Sequence, residues 1–311
     1  MIRVSAPGKI HLIGEHSVVY GKPAILASIN LYLHATISKS SKKEILGLVQ
    51  YDDAIKDMQN AIEQKIQNKF KVKKITNYRV EIDKSGISVG SGLGTSASLS
   101  AAFSICLLRF LELEYSLDDL FEIAFEGEKV FHGNPSGGDL AAVLNPGLTY
   151  FKKNSDNSKT IIPLPFNQSL KLLLIDSGKP IETTAEMLEI VLSSRTKSRD
   201  LFQKILDSQE NLTNQMIKVL KNWKENQFIK ILKAAEINLE KLGVVGKYAK
   251  SIIRRIEDLE GAAKITGAGG IKKGSGMILA FHKDLNKLIK FAKANNLKYY
   301  SVQISSDGIK Y

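Results

Sequence analysis

The nine residues Gly90-Ser91-Gly92-Leu93-Gly94-Thr95-Ser96-Ala97-Ser98 constrain this chain most, because three alternating glycines and a run of hydroxyls stand directly before an apolar segment of helical period. Glycine lets the backbone turn sharply and approach a ligand with no side chain between. Thr95 and Ser96 bring hydroxyls to the point where the helix opens, and the unpaired N–H groups of a helix start favour an anion. Leu99, Ala102, Phe103, Cys106, Leu107 and Phe110 follow at helical spacing, bury one face and anchor the loop in core. On these residues alone two readings stand, a phosphate cradle and a tight turn with an N-cap. The spacing is neither the dinucleotide pattern G-x-G-x-x-G nor G-x-x-x-x-G-K-[ST], since no lysine follows the last glycine. It is not G-x-S-x-G either, because Ser98 stands where that turn needs its final glycine.

A chain of 311 residues with 43% hydrophobic content has material for a sizeable core and roughly two domains. Its single cysteine, Cys106, falls inside the apolar helix, so neither a disulfide framework nor a cysteine metal cluster is available and a reducing cytoplasm is the expected setting. No stretch approaches the ~20 apolar residues of a membrane-spanning helix, and the N-terminal MIRVSAPGK is no signal peptide. No membrane partner is expected. The net charge of +12, from 44 basic and 32 acidic residues, suits anionic ligands. Lys218, Lys221, Lys224, Lys230 and Lys233 are scattered singly, with no basic block interleaved with aromatics, so no nucleic-acid partner is expected.

Hydrophobic period and turn residues divide the chain into alternating strands and helices. The first forty residues predict β structure, with a strand at Ile2–Ser5, a turn at Pro7-Gly8 and a long strand over 24–38. A helix over Asp52–Phe70 and a strand at Tyr78–Asp83 lead to the glycine loop, then come the helix from Thr95 and one from about Ser116 to Phe131. Pro135 and Ser136 are placed to start a short helix to Val143. Strands near Leu148–Phe151 and Leu170–Ile175 flank Pro163 and Pro165, and a domain boundary is expected near residue 167. Helices over 182–194, 197–222, 226–241 and 247–259 precede Lys264-Ile265-Thr266-Gly267-Ala268-Gly269-Gly270, followed by a strand at Gly276–His282, a helix over 284–295 and a strand over 297–305. The mixture is α+β.

Four segments hold the reactive side chains: 6–16, 90–98, 127–139 and 264–270. In the first, Lys9 follows the Pro-Gly pair, and Glu15 and His16 follow a short apolar step. In the third, Leu120, Ile123, Ala124, Gly127 and Phe131 form an apolar stripe, and at 100° per residue Glu128 lies on its edge while Glu122 and Lys129 point away. Glu128 is therefore the inward acid, and Asp139 arrives beyond the break at Gly133-Asn134-Pro135. One carboxylate with a serine hydroxyl and nucleotide phosphates is the oxygen set that Mg²⁺ prefers. His11, His16, His34, His132 and His282 are dispersed, without zinc-site spacing.

Taken in order, these segments resemble the GHMP kinase superfamily and, within it, the mevalonate kinase family most closely. APGKIHLIGEHSVVYGKPA is similar to the first motif, GSGLGTSAS to the phosphate loop, EGEKVFHGNPSGGD to the helix and turn with the metal-binding glutamate and catalytic aspartate, and KITGAGG to the third motif. The resemblance implies a two-domain GHMP kinase fold, with a ribosomal-protein-like N-terminal domain over 1–167 and a ferredoxin-like C-terminal domain with added helices over 168–311. It implies ATP and Mg²⁺ as cofactors, mevalonate as the alcohol phosphorylated, and a homodimer as the candidate assembly. Carried over to this chain, it implies that Ser96 and Glu128 bind Mg²⁺ and that Asp139 acts at the substrate hydroxyl with Lys9 beside it. The resemblance also implies that Gly90, Ser91, Gly92, Leu93, Gly94, Thr95 and Ser96 hold the ATP phosphates and that His16 and Thr183 contact the mevalonate end. The third motif departs from the family's usual GAGGGGC, reading GAGGIKKGSG here, with Lys272 and Lys273 inserted and the cysteine lost. Other alcohols phosphorylated in the superfamily, and a basic RNA-binding protein of similar fold, are the alternative functions.

Overall fold

The computed structural model describes residues 1–47, 52–87, 92–166 and 168–311. Gly90 and Ser91 of the glycine loop and the expected boundary at 167 lie outside the described residues. The first sheet is built around β2 (Ala24–Lys39), which β1 (Ile2–Ile13) accompanies along most of its length. β4 (Tyr78–Asp83) pairs with the second half of β2 and β5 (Leu148–Lys153) with its start. β3 (Glu44–Leu46) and β6 (Lys159–Leu164) close the edges in the order β3-β4-β2-β5-β6. Helices α1 (Asp52–Phe70), α2 (Thr95–Phe110), α3 (Leu117–His132) and α4 (Gly138–Leu144) belong to this half. The sequence predicts one apolar face for α2. Instead every residue from Ala97 to Leu108 is buried, because the helix packs on β1 and β2 and against α3 and α4.

The second sheet has the order β10-β7-β9-β8, from β7 (Lys171–Asp176), β8 (Ala262–Ile265), β9 (Met277–Phe281) and β10 (Tyr299–Gln303), all antiparallel. Helices α5 (Thr184–Lys197), α6 (Arg199–Lys221), α7 (Glu225–Lys241) and α8 (Lys247–Asp258) lie between β7 and β8, and α9 (Leu285–Ala294) lies between β9 and β10. Spatial order 4-1-3-2 is that of a split βαβ, the ferredoxin-like arrangement, with extra helices in the first crossover. Strand alternation joins the halves. Leu172 and Leu174 on β7, with Met277, Leu279 and Phe281 on β9, enter the core cluster that also contains Val4 and Phe103. Leu173, Ile175, Ile278 and Ala280 point the other way, toward α5, α8 and α9. A sheet apolar on both faces thus seats the second half against the first.

Three local expectations change. Pro7-Gly8 is not a turn: β1 runs through it, with a register shift between the two residues. Among the described residues β1 pairs with no strand but β2, so proline's missing N–H costs no ladder bond there. Pro163 lies within β6, an edge strand, where the same reasoning applies. The short helix begins at Gly138 and not at Ser136, because Ser136 Oγ accepts the Gly138 N–H at 3.2 Å and Gly137, at φ 91°, makes the turn.

Candidate active site

Alternation along β1 turns Lys9 and His11 to one face, and both side chains reach Asp139 on the first turn of α4. Lys9 Nζ lies 3.0 Å from Asp139 Oδ2 and His11 Nε2 lies 3.2 Å from Oδ1. Burial works against ionisation of Asp139, yet Lys9 foremost, with His11, holds its carboxyl well below the usual carboxylate range. The Lys9 side chain is only 3% exposed, whereas that of Asp139 is 33% exposed, which leaves the carboxylate open to an incoming hydroxyl.

A second acid stands behind this pair. Glu128 on α3 is buried, and burial first, then the charge of Asp139, pushes its carboxyl up to about 8 against the opposing influence of Ser96 and Lys9. Ser96 is hydrogen-bonded to Glu128, and Ser96 Oγ and His132 Nε2 are 2.9 Å apart. His132 sits four residues after Glu128, one helical turn along the same face. Burial holds its imidazole below the usual histidine value.

Glu128 Oε1 is buried and has no hydrogen-bond partner, as befits a carboxylate built to meet a cation. A carboxylate and a serine hydroxyl are hard oxygen donors that fit Mg²⁺. Among the described residues no group of three or more His, Cys, Asp or Glu forms a metal cage. Mg²⁺ requires none, since phosphates and water complete its shell.

The glycine loop closes over the same place. Gly94, at φ 72°, is the N-cap of α2 and makes no side-chain cap bond. A Cβ on Gly94 would lie 2.6 Å from Lys9 Cγ, so the lysine stem runs where a side chain would be. The Leu93 carbonyl accepts the Lys9 N–H at 2.9 Å. Gly92, at φ 84°, faces the third glycine loop, and a Cβ there would lie 2.6 Å from the Thr266 carbonyl oxygen. Thr95 follows in the first turn of α2, half-buried.

The third loop is stitched to β1. The His11 N–H donates to Thr266 Oγ1 at 2.8 Å, and His16 Nε2 donates to the Ala268 carbonyl at 2.9 Å. His16 is buried, and desolvation drops its imidazole from 6.5 to about 4, which keeps it neutral. Thr183 is the exposed N-cap of α5, exchanging hydrogen bonds with Glu186. Its neighbour Glu182 accepts the Ile271 and Lys272 N–H groups at 3.4 and 3.0 Å, tying α5 to the third loop. Lys272 and Lys273 are exposed. Lys9, Asp139, Glu128, Ser96 and Gly92–Gly94 therefore come together, and His11 and His132 join them without having been singled out in the sequence. Each had a signal there, His11 at strand spacing from Lys9 and His132 at helical spacing from Glu128.

Residues 54–147 match the family described as GHMP kinases N terminal domain. A mevalonate kinase of Thermococcus gammatolerans is 30% identical over 299 residues, covering 86% of this chain and 86% of the relative. The chain belongs to the mevalonate kinase family of GHMP kinases. A mevalonate kinase of Archaeoglobus fulgidus is 29% identical over 269 residues, with 86% of this chain and 88% of the relative covered. The crystal structure of the L. major mevalonate kinase in complex with R-mevalonate has a TM-score of 0.83 at 22% identity, over 99% of this chain and 97% of that one. A Streptococcus pneumoniae phosphomevalonate kinase, solved with phosphomevalonate and AMPPNP, has a TM-score of 0.79 at 20% identity, over 98% and 100% of the two chains. The fold is thus the two-domain α+β GHMP kinase fold, and the protein is an ATP-using kinase. No helix among the described residues is long and apolar enough to cross a membrane.

Proposed function

We propose that the protein transfers the γ-phosphoryl group of ATP to the primary 5-hydroxyl of (R)-mevalonate, giving 5-phosphomevalonate and ADP for isoprenoid biosynthesis. The observation that carries this reading is the ionised Asp139, fixed by Lys9 and His11 and standing beside the Ser96–Glu128 pair and the glycine loop. Phosphoryl transfer passes through a loose, charge-rich transition state, so the protein's task is positioning and charge stabilisation. The alcohol oxygen attacks the γ-phosphorus, the bond to the ADP oxygen breaks, and the hydroxyl proton passes to Asp139. Lys9 keeps Asp139 ionised for that role and offsets the negative charge gathering on the attacking oxygen. His11 fixes the second carboxylate oxygen, so that the base presents one orientation.

Backbone N–H groups of the loop containing Gly90, Ser91, Gly92, Leu93, Gly94, Thr95 and Ser96 hold the phosphates at the uncapped start of α2. Ser96 and Glu128 are the residues to hold Mg²⁺, which when bound neutralises charge on the phosphate oxygens. His16 and Thr183 belong to the mevalonate end. Domains 1–167 and 168–311, a cytoplasmic setting and a homodimer without nucleic-acid or membrane partners complete the proposal.

The test is incubation with ATP and (R)-mevalonate, with the product identified by mass and with phosphomevalonate, homoserine and galactose as competing alcohols. Phosphorylation of mevalonate at the highest kcat/KM is expected. A higher kcat/KM for another alcohol, or no transfer to mevalonate, overturns the assignment.

A further inference from the structure

A fully buried lysine lies outside the reacting group. Lys264, on β8 at the head of the third motif, has no exposed surface, and its ammonium donates to Glu15 Oε1 and, at 2.7 Å, to the Ile265 carbonyl. Glu15 is itself buried, within the first motif, 249 residues away in sequence. A further titratable group beside them is Glu236 of α7, also fully buried, whose Oε2 accepts the Ile265 N–H at 3.1 Å and whose carboxyl burial pushes up to about 8, into its neutral form. A buried ion pair of this kind rarely returns its desolvation cost, and a well-packed apolar pair stabilises a fold at least as well. What such a pair supplies is a fixed register between the two elements it joins.

The elements joined here are the two that carry the chemistry. Segment 9–16 brings Lys9 and His11 to Asp139, and segment 264–270 meets Gly92 of the phosphate loop. Within a few residues of the ion pair the same segments exchange three more bonds: His11 N–H to Thr266 Oγ1, Thr266 Oγ1 to the His11 carbonyl, and His16 Nε2 to the Ala268 carbonyl. His16 is neutral and gives its one N–H to Ala268, which leaves Nδ1 as a buried acceptor without a partner. One imidazole thus holds the third glycine loop on one side and offers a vacant acceptor on the other.

We infer that Lys264 and Glu15 are positioning residues, a buried ionic link that sets the register of the first motif against the third glycine loop and so couples binding of the nucleotide to binding of the alcohol. The inference rests on the proposed function, since it takes mevalonate as the alcohol at His16.

The test is a binding cycle. The dissociation constant of AMPPNP with Mg²⁺ is measured by calorimetry with and without saturating (R)-mevalonate, in the wild type and in the double variant Glu15→Gln/Lys264→Met. The double variant removes both charges at nearly constant volume and leaves neither charge unpaired, and a thermal melt reports whether it is folded despite the donor lost to the Ile265 carbonyl. In the wild type mevalonate should tighten the nucleotide by about fivefold or more, the lower end of ordinary coupling. In the folded double variant that factor should fall to within about twofold of unity. A folded double variant with wild-type coupling makes the link merely structural and overturns the inference, as does a wild type that binds mevalonate with no coupling.

Should the double variant not fold, Glu15→Asp carries the same test, because it keeps both charges and withdraws the carboxylate by one methylene. Wild-type coupling in Glu15→Asp overturns the inference equally. A wild type that binds no mevalonate at all fails at the proposed function, and the inference falls with it.

Discussion

Replacing Lys9 by methionine isolates the charge beside Asp139, the carboxylate proposed as the base, while keeping the stem that fills the space over Gly94. At the observed 3.0 Å, and with an effective dielectric constant of about 20, the ammonium and the carboxylate attract by about 5.5 kcal/mol. Only the part of a cation's effect that grows as charge builds on the attacking oxygen enters kcat. Loss of one preorganised donor of this kind costs about 2.7–4 kcal/mol, or 10²–10³ in rate. The same substitution acts on Asp139. Burial, which now opposes its ionisation, loses its strongest counterweight and leaves only His11, so the carboxyl must protonate at higher pH than in the wild type. The base works ionised, so the acid limb of the pH profile should move upward.

The assay is ADP release with mevalonate as acceptor, followed from about pH 4 to pH 9 at saturating substrates, where kcat reports groups in the bound complex. The expected result is a plateau lower by about 10²–10³ with the acid limb displaced to higher pH and the KM for ATP nearly unchanged. A Lys9→Met enzyme whose kcat stays within about threefold of wild type would refute the charge role of this lysine, and one whose acid limb lies no higher than that of wild type would refute its role in keeping Asp139 ionised.

Asp139→Asn keeps the shape of the base but removes its proton acceptor. Its kcat should fall by about 10²–10⁴ with ATP binding retained, and single-turnover measurement of the chemical step checks this. Glu128→Gln should weaken binding of Mn²⁺, used as a spectroscopic substitute for Mg²⁺, and unchanged Mn²⁺ titrations would remove Glu128 from the metal site. Gly92→Ala forces a Cβ to 2.6 Å from the Thr266 carbonyl at a φ of 84°, so the two glycine loops must separate. The KM for ATP should rise, and stability should drop by roughly 1–3 kcal/mol in a urea titration.

Burial pushes the Glu236 carboxyl from 4.5 up to about 8 in the folded protein, where one of its oxygens has no hydrogen-bond partner. The folded state keeps a proton that the unfolded state releases, so stability is full below about 4.5 and falls as pH rises through 8. Glu236→Gln should flatten that decline, gaining on the order of a few kcal/mol over wild type at pH 8 in denaturant titrations. An identical pH slope in the variant would show that Glu236 is ionised in the native state.

What was legible in the sequence follows from the range of each signal. Period alone located the helices from Asp52 and Thr95, and the 100° rule turned Glu128 inward, because both depend on residues within one or two turns of each other. The Pro7-Gly8 pair was misleading for the converse reason. Its outcome depends on β1 having no strand on its outer side, where Leu93, more than eighty positions away, takes the Lys9 N–H instead. His11 and His132 carried a local signal, i+2 from Lys9 on a strand and i+4 from Glu128 on a helix. Spacing of that sort selects a face without saying what the face meets.

The pairing of Glu15 with Lys264 had no local signal, since each is an ordinary charged residue until two chain segments 249 positions apart are folded together. Motif matching places the reactive groups because the chemistry demands those residue types near glycine turns. It does not reach the buried charges that hold one motif against another, because an interior ion pair is defined by its surroundings. If the coupling between nucleotide and alcohol survives removal of that pair, the register of the two glycine-bearing segments must be set by the backbone contacts at Thr266 and Ala268 alone.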